Sequence, residues 1–216
     1  MRSSIVSVLA IGALLYGLPL SGAKKKPKAT PTFDYYLLAL SWAPDFCATA
    51  GPNANAAECG VGRKVAFVVH GLWPQGNGSR GPQDCGGSPV SNAIVQSMLS
   101  YIPTAGLIQH EWSTHGTCSG LSAADYFAAV RKARDSVTIP AEFKAPAQLM
   151  RRSSRQIVEA FAQANPAFPR AAFRVSCRSD MLQEARICFD KDLSPRACTS
   201  SAGECTLPTM QVLPVR

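Results

Sequence analysis

FRVSCRSDMLQEARICF, residues 173–189, is the stretch on which the fold turns. Phe173 to Arg178 and Leu182 to Phe189 each alternate apolar and polar residues with the period of two that a half-buried strand needs, and Ser179-Asp180 between them suits a tight turn. The segment reads as a β-hairpin. Toward the other end of the chain, Phe33 to Trp42 is rich in aromatic and aliphatic residues and stops at Ala43-Pro44, as a buried strand would. Lys64 to His70 (KVAFVVH) is a further β-branched run. Gly71-Leu72-Trp73-Pro74 interrupts it, which predicts His70 at a strand end.

Between these strands the spacing turns helical. Ser88-Pro89 reads as an N-cap and first-turn proline, with Val90, Ile94, Val95, Met98 and Leu99 on one face before Pro103. Leu107 to Cys118 predicts a short helix, Ser122 with Asp125 resembles a capping box opening a helix through Arg134, and Ser153 to Ala164 predicts another, ended by Pro166. Asn77 to Ser88 has no periodicity and reads as a long loop. Strands at both ends with helices between them predict an α+β domain, a mainly antiparallel central sheet with helices packed around it.

The chain has 216 residues, enough for the core of one ordinary domain. Ile5 to Leu20 is almost wholly apolar but too short to span a bilayer comfortably, and Ser21 and Ala23 suit cleavage after Ala23. The organisation expected is a signal peptide over 1–23, a flexible basic tail over 24–32 and a folded domain over 33–216. Of the formal net charge of +8, five positive charges belong to Arg2, Lys24, Lys25, Lys26 and Lys28, outside the fold. The overall charge is therefore a weak pointer to a polyanion. Eight cysteines in an exported chain read as a disulfide framework. Cys47 and Cys59 are close in sequence, Cys85 and Cys118 bracket the middle, and Cys177, Cys188, Cys198 and Cys205 form a C-terminal group; spacing alone does not choose the pairing.

There are only three histidines, His70, His110 and His115. In HEWSTHGTC, residues 110–118, His110, Glu111, Thr114 and His115 fall within an arc of about 140° on a helix. The two histidines are at i and i+5 rather than the i and i+4 of a zinc-protease HExxH, which disfavours a shared metal. Imidazoles of ordinary pKa near ~6.5 suit proton transfer at a phosphate: one takes a proton from a hydroxyl and another gives one to the departing oxygen. If the hydroxyl is the 2′-OH of RNA, the substrate carries its own nucleophile, which DNA lacks.

FVVHGLWPQ (67–75) and HEWSTHGTC (110–118) closely resemble the two active-site segments of the ribonuclease T2 family. YYLLALSWAPDFC (35–47) resembles that family's first strand, and CRSDMLQEARICFDKDLSPRAC (177–198) its C-terminal hairpin. The resemblance implies an endoribonuclease, needing neither metal nor cofactor, that cleaves single-stranded RNA to a 2′,3′-cyclic phosphate and then a 3′-phosphate. It implies His70 as general acid, His115 as general base, and His110 and Glu111 as groups that bind and polarise the phosphate. It also implies disulfides Cys47–Cys59, Cys85–Cys118, Cys177–Cys205 and Cys188–Cys198.

Thr114 stands where the family usually has Lys, so a hydroxyl replaces a full positive charge. Arg63 or Arg80 are candidates to compensate, and a catalytically weakened RNA-binding relative is the alternative reading. Trp73, Phe67 and Trp112 are candidates to stack on bases, with Thr114 a further substrate contact. The partner expected is RNA, not DNA; the mature chain is expected to be a secreted or periplasmic monomer, free of the membrane once the signal is removed.

Overall fold

The computed structural model describes residues 32–51 and 54–216. The predicted signal peptide, and all of the basic tail but Thr32, lie outside the described residues. Among the described residues six strands, β1 (Tyr35–Trp42), β2 (Phe67–Gln75), β3 (Met150–Arg152), β4 (Phe173–Arg178), β5 (Met181–Phe189) and β6 (Met210–Val212), form one sheet. Its order is β2-β1-β5-β6-β3, with β4 paired to β5. Pairings are antiparallel except the β5–β6 contact at Met181 and Gln211. The α-helices of the described residues pack around it: α1 (Ala43–Thr49), α2 (Ala56–Cys59), α3 (Asn92–Met98), α4 (Ala105–Thr114), α5 (Ala123–Asp135) and α6 (Ser154–Ala164).

The near-unbroken apolar run of β1 follows from its place between β2 and β5. Tyr36, Leu38, Leu40 and Trp42 enter the main core, while Tyr35 and Leu37 join a smaller cluster with Cys188, Cys198 and Ala202. Each such buried Leu stabilises the fold by roughly 1.5–3 kcal/mol.

β2 does not end at His70. Leu40 pairs with Val69 and Ala39 with Gly71, so His70 is the extra residue of a β-bulge. Val69 and Leu72 both reach the main core while Trp73 packs on the smaller cluster, so the inserted residue resets the alternation. Pro74 is tolerated because β2 is the sheet's edge and its missing N–H breaks no ladder.

α3 starts three residues later than its sequence suggests. The Val90 N–H is taken by Gln109 Oε1 at 2.9 Å and the Ser88 carbonyl by Trp112 Nε1 at 2.9 Å, so the chain stays extended until Ser91 caps the helix. α4 is capped by Thr104 and stops at Thr114 instead of Cys118. At Gly116 a side chain would meet the rings of Trp112 and Tyr126, and the chain tightens into a 3₁₀ turn, Gly116–Cys118. α5 is capped by Ser122, and α6 by a reciprocal Ser153/Gln156 capping box. The short elements α1, α2, β3 and β6 have no sequence-stretch long enough to announce them.

Disulfides join Cys47–Cys59, Cys85–Cys118, Cys177–Cys205 and Cys188–Cys198, the pairs that the resemblance implies. Cys85–Cys118 ties the long loop to the turn after α4. Among the described residues no helix is long and apolar enough to cross a membrane.

Candidate active site

His70 is presented by the β2 bulge with one edge open to solvent. Its Nδ1 lies 2.7 Å from Oε1 of Glu184, a residue of β5 that is 1% exposed. The other carboxylate oxygen of Glu184 accepts from Arg186 Nε at 2.8 Å and from Ser176 Oγ at 3.3 Å. Arg186 in turn donates to the Ala202 carbonyl at 2.7 Å and lies 5.9 Å from the Trp73 ring. Burial opposes the charge of Glu184, but His70 and Arg186 outweigh it and hold the carboxylate below its usual range. Burial likewise pulls His70 down, but the bond to Glu184 and the charges of Glu111 and Glu184 overcome it and raise its pKa. A carboxylate on Nδ1 fixes the proton there and turns Nε2 toward the site.

Nε2 of His70 is 3.7 Å from Oε1 of Glu111 on α4. Glu111 is 1% exposed; its Oε2 accepts from Trp73 Nε1 at 2.7 Å, and its Oε1 has no hydrogen-bond partner among the described residues. Burial pushes Glu111 up to about 7, resisted by His70 and the Trp73 bond. Its close approach to β2 requires Gly71, where a Cβ would overlap Glu111 Oε2 and the Trp73 indole nitrogen.

His115 caps the C-terminus of α4, its N–H bonded to the Glu111 carbonyl at 3.1 Å. Its ring centroid lies 5.2 Å from that of Trp73, as does that of His70. One indole therefore spaces the two imidazoles. His115 is buried, its Nδ1 lacks a hydrogen-bond partner among the described residues, and burial, then the charges of His110 and His70, lower its pKa to about 4, partly countered by Asp84.

Other sequence candidates fall differently. Because α4 ends at Thr114, the single helical face expected for His110, Glu111, Thr114 and His115 is broken: His110 is exposed, Glu111 buried, and His115 beyond the helix. Thr114 is half-buried and its carbonyl accepts from the Asp84 N–H at 2.9 Å, pinning the loop beside His115. Phe67 packs among Trp42, Phe143 and Phe161 in the core instead of beside the histidines. Trp112 is buried against Tyr126 and clamps the Ser88 carbonyl, so its ring is not presented for stacking. Arg63 is bonded to the Ala57 carbonyl; the cation built into the site is Arg186, which sequence reasoning missed along with Glu184.

A cleft of about 330 Å³ opens beside His70 and Glu184, bounded by Ser41, Asp45, Val68 and Leu107, with Phe46 and Arg178 toward its rim. Among the described residues no three His, Cys, Asp or Glu side chains are grouped so as to hold a metal ion.

A model of the Ribonuclease T2 family matches residues 33–198. A ribonuclease of Aeromonas hydrophila is 41% identical over 120 residues, 55% of this chain and 53% of that protein. A probable ribonuclease of Haemophilus influenzae is 31% identical over 180 residues, 77% of this chain and 61% of its own length. The chain thus matches between half and two thirds of these two relatives. Among solved structures, trichomaglin, described as an S-like ribonuclease, superposes with a TM-score of 0.69 at 24% identity, covering 86% of this chain and 100% of that one, a likeness of fold.

Proposed function

The chain belongs to the ribonuclease T2 family, and from that premise we propose that it is an endoribonuclease cleaving single-stranded RNA through a 2′,3′-cyclic phosphate. In the first step neutral His115 accepts the 2′-OH proton, the 2′-oxygen bonds to phosphorus, the bond to the 5′-oxygen breaks, and His70 protonates that leaving oxygen. In the second, water attacks the cyclic phosphate with the two roles exchanged and leaves a 3′-phosphate. General acid–base assistance of this kind contributes on the order of 10²–10⁴-fold to rate.

The observation that carries this reading is the opposite treatment of two imidazoles placed around one indole. His70 is raised by its carboxylate partners and so holds a proton; His115 is lowered to about 4 by burial and so stands ready to take one. Environments that push two titratable groups apart assign acid and base. Glu111, pushed up to about 7, is protonated in acidic solution, and its unpartnered Oε1 is then a donor for a phosphoryl oxygen instead of a repelling charge. That offers an account of how the site works with Thr114 in place of a cation. His110, exposed on α4, is the further phosphate contact, and Trp73 holds the two imidazoles and Glu111 in register.

The same proposal includes a monomer exported after cleavage following Ala23, its folded domain spanning 33–216 and free of the membrane. All eight cysteines are paired, as suits an oxidising compartment. The test is incubation of the mature, oxidised protein with a short RNA and its 2′-deoxy counterpart, in EDTA, from pH 3 to 9. The expected result is cleavage of RNA alone with a cyclic phosphate product, kcat/KM rising with pH through about 4 as His115 sheds its proton. It falls again on the alkaline side as His70 loses its own. Cleavage of the deoxy strand, or a need for added metal, would overturn the mechanism.

A further inference from the structure

Arg178 of β4 pairs in register with Met181 of β5, Met181 with Gln211 of β6, and Gln211 with Arg151 of β3. Residues directly opposite one another share a face of the sheet, so these four side chains form one row across four strands. Leu182, Met210 and Val212 enter the main core and Met150 packs against it, which by the period of two puts the row on the other face. The row starts at the cleft, because Arg178 lines it together with His70 and Glu184. It ends three strand spacings away, about 14 Å, at Arg151.

Both arginines are exposed, and neither guanidinium has a hydrogen-bond or ion-pair partner among the described residues. Arg152 and Arg170 differ, being paired with Glu142 at 2.7 Å and Glu159 at 3.2 Å. The acids near the row are engaged or buried: Asp180 Oδ2 accepts from Gln211 Nε2, and Asp45 is 3% exposed. The chain from Glu142 to Arg178 holds seven Lys and Arg against two Asp and Glu, whereas the rest of 33–216 holds ten against twelve. The positive charge of the folded domain thus lies on the segment that supplies both arginines, and a field of that sign draws in a polyanion.

We propose that this row is a track for the RNA backbone, on which Arg178 and Arg151 hold phosphates 3′ of the cleaved bond. The inference rests on the ribonuclease reading, which makes His70 the acid at the 5′-oxygen and so puts the 3′-side nucleotide in the cleft that Arg178 borders. The nucleotides that follow it cross β5 and β6 and leave the sheet at β3. A guanidinium fork matches two phosphate oxygens and carries no base preference. At ~3.4 Å per stacked nucleotide the row spans about four of them, and fewer in an extended strand. The enzyme therefore gains from strand length on one side of the cleavage site, whatever the sequence there.

The experiment measures kcat/KM on strands with a single ribonucleotide, uridine, followed by deoxyadenosine, so that each has one cleavable bond. One strand is the bare dinucleotide, and two others add four deoxynucleotides on the 3′ or on the 5′ side. At about 50 mM salt the 3′-extended strand should exceed the dinucleotide by about tenfold, the scale of two exposed charge pairs, and the 5′-extended strand should not. Its log–log dependence on salt should be steeper than the dinucleotide's by about 1.4, or ~0.7 for each phosphate held on a single strand. Arg151→Ala should lose about half of that extra slope and leave the dinucleotide rate unchanged, and Arg151→Lys should restore it. Arg155→Ala removes an equally exposed and unpartnered charge on α6, off the row, and should change neither. An equal gain from 5′ extension, no gain from 3′ extension, or an Arg155→Ala as costly as Arg151→Ala would overturn the track while leaving the ribonuclease reading in place. A wild type that cleaves none of the strands, nor an all-RNA one, overturns that reading, and this inference with it.

Discussion

Replacing Glu184 with Gln tests how the acid histidine is made. The substitution keeps the size and an acceptor oxygen for the Nδ1–H of His70, but removes the charge that lies 2.7 Å from it and that also neutralises Arg186. A hydrogen bond to a charged group is worth about 1.5–3 kcal/mol, which is roughly 10- to 150-fold in an equilibrium at about 1.4 kcal/mol per decade. His70 is then easier to deprotonate, so the alkaline limb of kcat/KM should move to lower pH. The rate near pH 7 should fall by about that factor, whereas the loss at pH 4–5, where His70 keeps its proton either way, should be much smaller. The fold carries the same signature. A histidine raised in the folded state adds stability below the unfolded value of 6.5, and that stability is lost as pH rises through the folded value. Glu184→Gln should therefore remove the decline in stability over that interval. The assays are a pH–rate profile on one dinucleotide and the imidazole NMR titration of His70. An unmoved alkaline limb, or an equal loss of activity at every pH, would refute the assignment of Glu184 as the group that orients and charges His70.

Thr114→Lys places a cation beside the phosphate groups and should raise kcat/KM on RNA by about tenfold, the scale of one charge-assisted contact; an unchanged rate would mean that neutral Glu111 already fills that role. Gly71→Ala drives a methyl into Glu111 Oε2 and the Trp73 nitrogen, and overpacking of this kind costs about 1–3 kcal/mol. Its melting temperature and kcat should fall together, and a fully active, fully stable variant would show that the approach of Glu111 to β2 is not required. Removing Cys85–Cys118, whose ends are 33 residues apart, should cost about 3–4 kcal/mol on the chain-entropy account, read from urea unfolding of the oxidised proteins.

How far the sequence reveals this molecule depends on whether a feature is local. The β4–β5 hairpin and the α5 and α6 caps are each written within one short continuous segment, and each is found in the structure where its pattern puts it. The continuation of β2 past His70 is not legible in the sequence because a bulge looks, in one strand, like a break; only the partner register, Leu40 with Val69 and Ala39 with Gly71, shows one residue inserted. Phe67 and Trp112, candidates to stack on bases, are instead turned into the core by the strand and helix periods.

Glu184 exposes a harder limit, because what makes it matter is a neighbour more than a hundred residues away. A weak local trace did exist for Glu184: in EARICF, Ala185, Ile187 and Phe189 face the main core, which leaves Glu184 and Arg186 together on the opposite face at i and i+2. A Glu–Arg pair on the inner face of a central strand is costly to bury unless something engages it. Read with the scarcity of histidines, that trace leads to His70. The bulge on one strand and the buried carboxylate on another then form a single device: β2 supplies an imbalance in register that swings the imidazole out, and β5 supplies the charge that keeps it protonated. Neither strand alone would make an acid, and the sheet pairing through β1 is what brings them together.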